Sequence, residues 1–156
     1  MKPRPALKRT TATKDIILVD RSLPIVYPDW VTGAMHPNLE KSGPTDFAPG
    51  ALNLWHPAQN KTPRPVKGGH LYKLLKEAAM LKRCLGLRDL EEIQKRGIAF
   101  YRKHFGSKAV FGWKSVVRDR LKYLFVPYLF EFGDGVMVHW YLLDFAWERA
   151  TVLVHS

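Results

Sequence analysis

The sequence predicts an α+β fold: a helical hairpin packed on a three- or four-stranded antiparallel β-meander, preceded by an irregular segment rich in proline and glycine. Three observations predict it. Apolar residues recur at helical spacing from 70 to 105, and they alternate with a period of two after 107. Between 28 and 69, Pro and Gly come too often for long elements. With 156 residues, 46% of them apolar and including five Trp, eight Phe and six Tyr, the chain is about one domain long and can fill a core.

Taken in order, residues 1–14 read as a flexible basic arm and 15–156 as a single domain. The stretch "DIILVDRSLPIVY" at 15–27 reads as one or two short strands interrupted at Pro24, because Val and Ile favour extended backbone and Pro lacks a ladder donor. The segment up to 69 is expected to be irregular but packed, pinned by Trp30, Phe47, Leu54 and Trp55, since linkers seldom carry so many large apolar side chains. A short helix is expected around "DWVTGAM".

From 70 to 105 the pattern is a helical hairpin. Leu71, Leu74, Leu75, Ala78, Leu81 and Leu85 share one stripe, and Gly86 stands where a left-handed C-cap belongs. Asp89 with Glu92 three residues on reads as a capping box, and the second stripe runs Leu90, Ile93, Gly97, Phe100, Tyr101 and Phe105 up to Gly106. Gly97 inside that stripe costs about 1 kcal/mol relative to Ala, so a close approach by a neighbouring element is expected there.

Residues 108–156 form the predicted meander. Its strands are "KAVFGWKSVV", "KYLFVPYLFEF", "VMVHWYLL" and "ATVLVH", with "RDRL" and "GDG" as turns. Pro127 argues for an edge position or a bulge. The strands are apolar on both faces. One face is expected to take the helices, and the other to meet the 15–60 segment, a second subunit or a ligand.

Charge is unevenly spread. The net +11 divides into +5 over residues 1–14, −3 over 15–60, +12 over 61–122 and −3 beyond. A polarised basic chain points to polyanions or to a soluble basic surface. The candidate phosphate-binding residues are Lys61, Arg64, Lys67, Lys73, Lys76, Lys95, Arg96, Arg102, Lys103, Lys114, Arg118, Arg120 and Lys122. Trp113 and Tyr123 are candidates for stacking on bases. No apolar run reaches the roughly 20 residues that span a bilayer, no signal peptide fits, and the lone Cys84 excludes an intramolecular disulfide framework. A cytoplasmic setting is the expectation.

Other motifs weaken on inspection. A helix-turn-helix reader needs a small residue four places before its turn glycine and apolar residues six and nine after it. Around Gly86 those positions hold Lys82, Glu92 and Lys95. His36, His56 and His70 fall in or beside the irregular segment at spacings that match no ligand pattern, so no metal and no cofactor is expected. His104 and His139 read as hydrogen-bonded boundary residues. "KGGH" at 67–70 could hold an anion on free amides but lacks the full phosphate-loop pattern, and a helix-starting turn is the plainer reading. No nucleophile, base and orienter can be assembled from spacing.

At "CLGLRDLEEIQKRG", "SKAVFGWKSVVRDR" and "VPYLFEFGDGVMVHW" the chain resembles short uncharacterised proteins of small-genome candidate-phylum bacteria, Parcubacteria and relatives. The likeness extends to "VDRSLPIVYPDW" and "HPNLEKSGP" and so covers most of residues 15–145. It implies a cytoplasmic bacterial protein with a single domain, and it brings no activity, cofactor or functional residue with it.

The sequence therefore leaves three readings. The first is a basic cytoplasmic protein that binds nucleic-acid backbone, RNA or DNA, non-specifically through the 61–122 surface. The second is a protein-interaction or homodimerisation module using an aromatic sheet face. The third is a small nuclease with histidine acid-base chemistry.

Overall fold

A computed structural model describes residues 15–56, 66–147 and 150–155. In chain order these form β1 (Ile17–Leu18), β2 (Val31–Ala34), the single turn α1 (Pro37–Glu40), β3 (Asp46–Phe47), β4 (Asn53–Leu54) and β5 (Val66–Lys67). There follow α2 (Gly68–Glu77), α3 (Leu87–Lys95), α4 (Gly97–Phe105), β6 (Val110–Phe111), β7 (Val117–Asp119), β8 (Leu124–Phe132), β9 (Gly135–Leu142), β10 (Ala146–Trp147) and β11 (Leu153–Val154). The fold is α+β, as the periodicities predict. Among the described residues no helix is long and apolar enough to cross a membrane.

The main sheet is antiparallel and centres on β8. On one flank β8 pairs with β9 along eight residues, from Phe125 opposite Leu142 to Phe132 opposite Gly135. The other flank is shared: β6 pairs at Leu129 and Tyr128, β7 pairs at Phe125 and Leu124, and β2 lies outside β7. The expected single strand "KAVFGWKSVV" is thus broken. After β6 the chain enters a 3-10 turn at Trp113–Ser115 before resuming as β7. Pro127 explains the break and corrects its own assignment to an edge. It sits in the central strand with its backbone turned toward the gap between β6 and β7, where its missing N–H removes no ladder bond and its carbonyl accepts from Gly112 at 2.9 Å.

The hairpin is also more segmented than its stripes suggest. The first helix stops at Glu77, Ala79 takes φ +54°, and a 3-10 turn covers Leu81–Arg83. Gly86 is not a left-handed C-cap. Its backbone is extended and it is the N-cap of α3, with its N–H held by Asp89 at 2.7 Å, so Asp89 lies inside the helix at its third residue. A Cβ on Gly86 would stand 3.2–3.3 Å from Ser115, Glu40 and Lys114. The close approach expected at Gly97 therefore occurs at Gly86. Gly97 instead has open space around it and φ +87°, a left-handed conformation that splits the second helix into α3 and α4.

Two further expectations change. "DWVTGAM" contains β2 rather than a helix, because Val31, Gly33 and Ala34 find backbone partners in Asp119, Arg118 and Val117. The final "ATVLVH" is not part of the meander. Its β11 pairs with β4, and Val154 bridges to Cys84.

Both sheet faces carry a buried core. Leu129, Val136 and Val110 pack against Leu90, Ile93, Tyr101 and Phe105 of α3 and α4, with Ile17, Val19 and Phe47 closing that core. On the opposite face Val126, Phe111 and Trp113 meet Leu71, Tyr72 and Leu75 of α2 together with Val152 and Val154. Burying a leucine-sized side chain contributes about 1.5–3 kcal/mol. Beyond Val126 the covering thins: Tyr128, Phe130 and Tyr141 are half-buried, and Phe132 and Met137 are exposed.

Candidate functional site

Two places gather side chains that could carry chemistry. The first lies under the start of α3. Arg21 donates to Asp89 at 2.9 Å and to the Pro44 carbonyl, while the other Asp89 oxygen takes the Gly86 N–H. Glu40 at the end of α1 accepts from the hydroxyls of Tyr27 and Ser115, and Ser115 Oγ in turn accepts from the Leu87 N–H at 2.7 Å. Arg88 donates to the carbonyls of Glu40 and Leu23. Lys114 donates to the Ser42 carbonyl at 3.0 Å.

Burial dominates the protonation behaviour of this cluster. It raises the Glu40 carboxyl above the usual range against the lowering effect of the Ser115 and Tyr27 hydrogen bonds. Burial lowers Lys114 although Asp89 opposes it, and it lowers His155, whose Nε2 lies 4.0 Å from Asp89. The Cys84 thiol is pushed up to about 12 by burial, which removes it as a nucleophile. Ser115 is fully buried and Glu40 is 5% exposed, with every carboxylate oxygen of Glu40 and Asp89 engaged. A serine beside a carboxylate could be read as an activated nucleophile, but a substrate has no approach to these atoms. The cluster is a clamp that fastens the 20–45 segment to α3 and the 113–115 turn.

The second place is the open half of the sheet. Side chains at even positions of β8 face away from α3 and α4, and they continue a stack of rings that begins in the core. Trp113 and Phe111 lie 5.5 Å apart at 16°, Phe111 and Tyr128 5.4 Å at 22°, and Tyr128 and Phe130 5.3 Å at 27°. From β9, His139 stands edge-on to Phe130 at 4.9 Å and Tyr141 edge-on to Tyr128 at 6.2 Å. Phe132, Met137 and Phe145 extend this surface and are exposed. Beside the ladder lies a groove of about 770 Å³ lined by Ser107, Lys108, Ala109, Tyr128, Phe130, Glu131 and Thr151. Lys108 sits on its rim. Lys67 lies opposite Ala146 and next in chain to Gly68, whose N–H binds the Phe145 carbonyl. Both lysines are exposed.

The basic residues singled out in the sequence do not converge on one patch. Lys61 and Arg64 lie outside the described residues. Lys73 and Lys76 are on the exposed side of α2, with Lys76 Nζ 4.4 Å over the Tyr72 ring. On α3 and α4 the cations already have partners. Lys95 meets Glu92 at 2.8 Å, Arg102 meets Glu131 at 2.6 Å and Lys103 meets Asp15 at 3.4 Å. Arg96 lies over Phe100 and donates to the Ile16 carbonyl. Arg118 lies along Gly33, while Arg120 and Lys122 are exposed in the turn between β7 and β8. Lys114 is corrected outright: at 1% exposure inside the clamp it cannot reach a phosphate.

The stacking candidates change as well. Trp113 is fully buried and serves as the base of the ladder, whereas Tyr123 is exposed at a turn away from it. Tyr128, Phe130, Tyr141 and Lys108 were not singled out. The alternation in "KYLFVPYLFEF" already placed Tyr128, Phe130 and Phe132 on one face, and only the side taken by the helices was missing. His139 belongs to the open face rather than to a boundary. His36 pairs with the Tyr72 hydroxyl, and among the described residues no three of His, Cys, Asp and Glu converge as metal ligands would. The amides of "KGGH" are taken: Gly68 and Gly69 donate to Phe145 and Leu143. Compared with protein families, curated proteins and solved structures, the chain matches none.

Proposed function

We propose that this protein binds single-stranded nucleic acid on the open aromatic face of β8 and β9, in the bacterial cytoplasm, without catalysing a reaction on it. The observation that carries the reading is the ring ladder Phe111–Tyr128–Phe130, which leaves the core and ends beside an open groove. Bases expose their faces only when unpaired, and stacking on an aromatic side chain is worth about 1–3 kcal/mol per base. The volume of the groove falls within the range of ordinary ligand sites. Lys108 at the groove and the exposed Lys67 supply the phosphate contacts, while the net +11 charge draws polyanions toward the surface.

The test is a salt titration of binding to a short oligouridine or oligothymidine, run beside a duplex of the same length. Two or three phosphate contacts on a single strand give a slope of log affinity against log salt of about −2, from roughly −0.7 per contact. The expected result is a shallow slope, preference for the single strand and quenching of intrinsic fluorescence. Equal binding to the duplex with a slope of about −5, the value for six duplex contacts, would instead assign binding to the scattered surface charges.

A further inference from the structure

The outer edge of β9 carries a pattern of backbone groups that fits a second copy of itself. The Leu143 N–H donates to the Leu124 carbonyl, which makes that pair a hydrogen-bonded one. By the alternation of antiparallel ladders and the register of β8 with β9, the pairs Val126/Tyr141, Tyr128/His139 and Phe130/Met137 are hydrogen-bonded too. The groups of Val136, Val138, Trp140 and Leu142 therefore point to the free edge. Pro127 agrees, since it is paired with Trp140, where β8 needs no donor.

Two of the outward acceptors are occupied. The Gln94 side-chain amide donates to the Val136 carbonyl at 3.0 Å, and the Phe145 N–H donates to the Leu142 carbonyl at 3.1 Å. Val138 and Trp140 keep both N–H and C=O open among the described residues. Natural edges are guarded by lysine, proline, a bulge or an inward charge. The stretch "GVMVHWYL" has no lysine, proline or carboxylate, and its register runs unbroken.

We infer that β9 pairs with β9 of a second copy, antiparallel, about a two-fold axis at His139. In that register Val138 faces Trp140 of the other copy, and Trp140 faces Val138, so the N–H and C=O of both residues are all used, and only the Val136 and Leu142 N–H groups meet occupied carbonyls. The occupied carbonyls of Val136 and Leu142 fall opposite one another at the ends. A shift by two residues in either direction sets the N–H of Trp140 or of Val138 against an occupied carbonyl, and a shift by one sets outward groups of one strand against inward groups of the other. The strand itself carries no Lys, Arg, Asp or Glu, so the Lys and Arg charge of the chain is not concentrated at the contact. The pairing would join two aromatic faces into one, although it does not depend on the nucleic-acid reading.

The experiment is sedimentation equilibrium of the free full-length chain over rising concentration, without nucleic acid, with hydrogen exchange at the β9 amides. The mass is expected to climb from 18.0 kDa toward about twice that value, while the Val138 and Trp140 amides become protected. His139→Lys places two ammonium groups directly opposite at an exposed position. It should weaken association about tenfold with an unchanged far-UV spectrum. A mass of 18.0 kDa at every concentration, an undiminished dimer in His139→Lys, or protected Val138 and Trp140 amides in the dilute monomer would each overturn the inference.

Discussion

The clamp around Asp89 and the ring ladder of β8 and β9 use residues of equal chemical interest, and they differ in what each leaves free. In the clamp, Arg21, Glu40, Asp89 and Ser115 are buried and their polar atoms point at one another. On the ladder, Tyr128 and Phe130 keep part of their rings open beside a groove, and the neighbouring lysines are exposed. The difference teaches that density of charge or nucleophiles does not locate a site in this chain. The proposed site instead gathers partly exposed rings beside a groove, with lysines that meet no carboxylate among the described residues.

Breaking the clamp should have the largest effect, and on stability alone. Arg21→Ala leaves the buried Asp89 carboxylate without its cation, which costs about 3–5 kcal/mol. Urea unfolding should show the midpoint falling accordingly, and a loss under about 1 kcal/mol would mean that the clamp is not a structural device. Next comes the rim of the ladder. Lys67→Gln and Lys108→Gln should each weaken binding to a single strand and make the salt slope shallower by about 0.7, leaving the melting temperature in place.

The pH dependence gives a smaller effect of defined sign. Burial holds His155 below its usual 6.5 in the folded state, so on acidification the unfolded chain takes up the proton first. Stability should therefore fall as pH drops from about 6.5 through the folded-state value, and His155→Gln should remove part of that fall. A melting curve that is equally steep in both proteins would assign the acid sensitivity elsewhere. The smallest effect is expected on the helix flank. Lys95→Gln and Arg102→Gln break exposed ion pairs that solvent and salt screen, and they should change neither folding nor binding by more than about threefold.

The sequence made some of this legible and hid the rest for physical reasons. The period-two runs placed β8 and β9 correctly, and "GDG" gave their turn, with Gly133 at φ +61°. Those signals are local. The break at Trp113–Ser115 was hidden because it depends on Pro127, fourteen residues from Trp113 and on another strand. Lys114 looked like a surface cation because alternation put it opposite Trp113, whereas in a 3-10 turn both can be buried. The helix-flank cations were visible, but their partners Glu131 and Asp15 are remote in sequence. The open face followed from a fact that periodicity does not carry, namely that α2 covers only one half of it.

Affinity for a fluorescent oligouridine, measured for the Tyr128→Ala/Phe130→Ala double variant beside the Lys95→Gln/Arg102→Gln control at about 50 mM salt, tests the ladder most directly. With both proteins shown to be folded, the double variant should lose at least about tenfold in affinity, from two stacking contacts of about 1–3 kcal/mol each, while the control stays near wild type. Unchanged affinity in the double variant, or a larger loss in the control, would contradict the assignment of binding to the aromatic face.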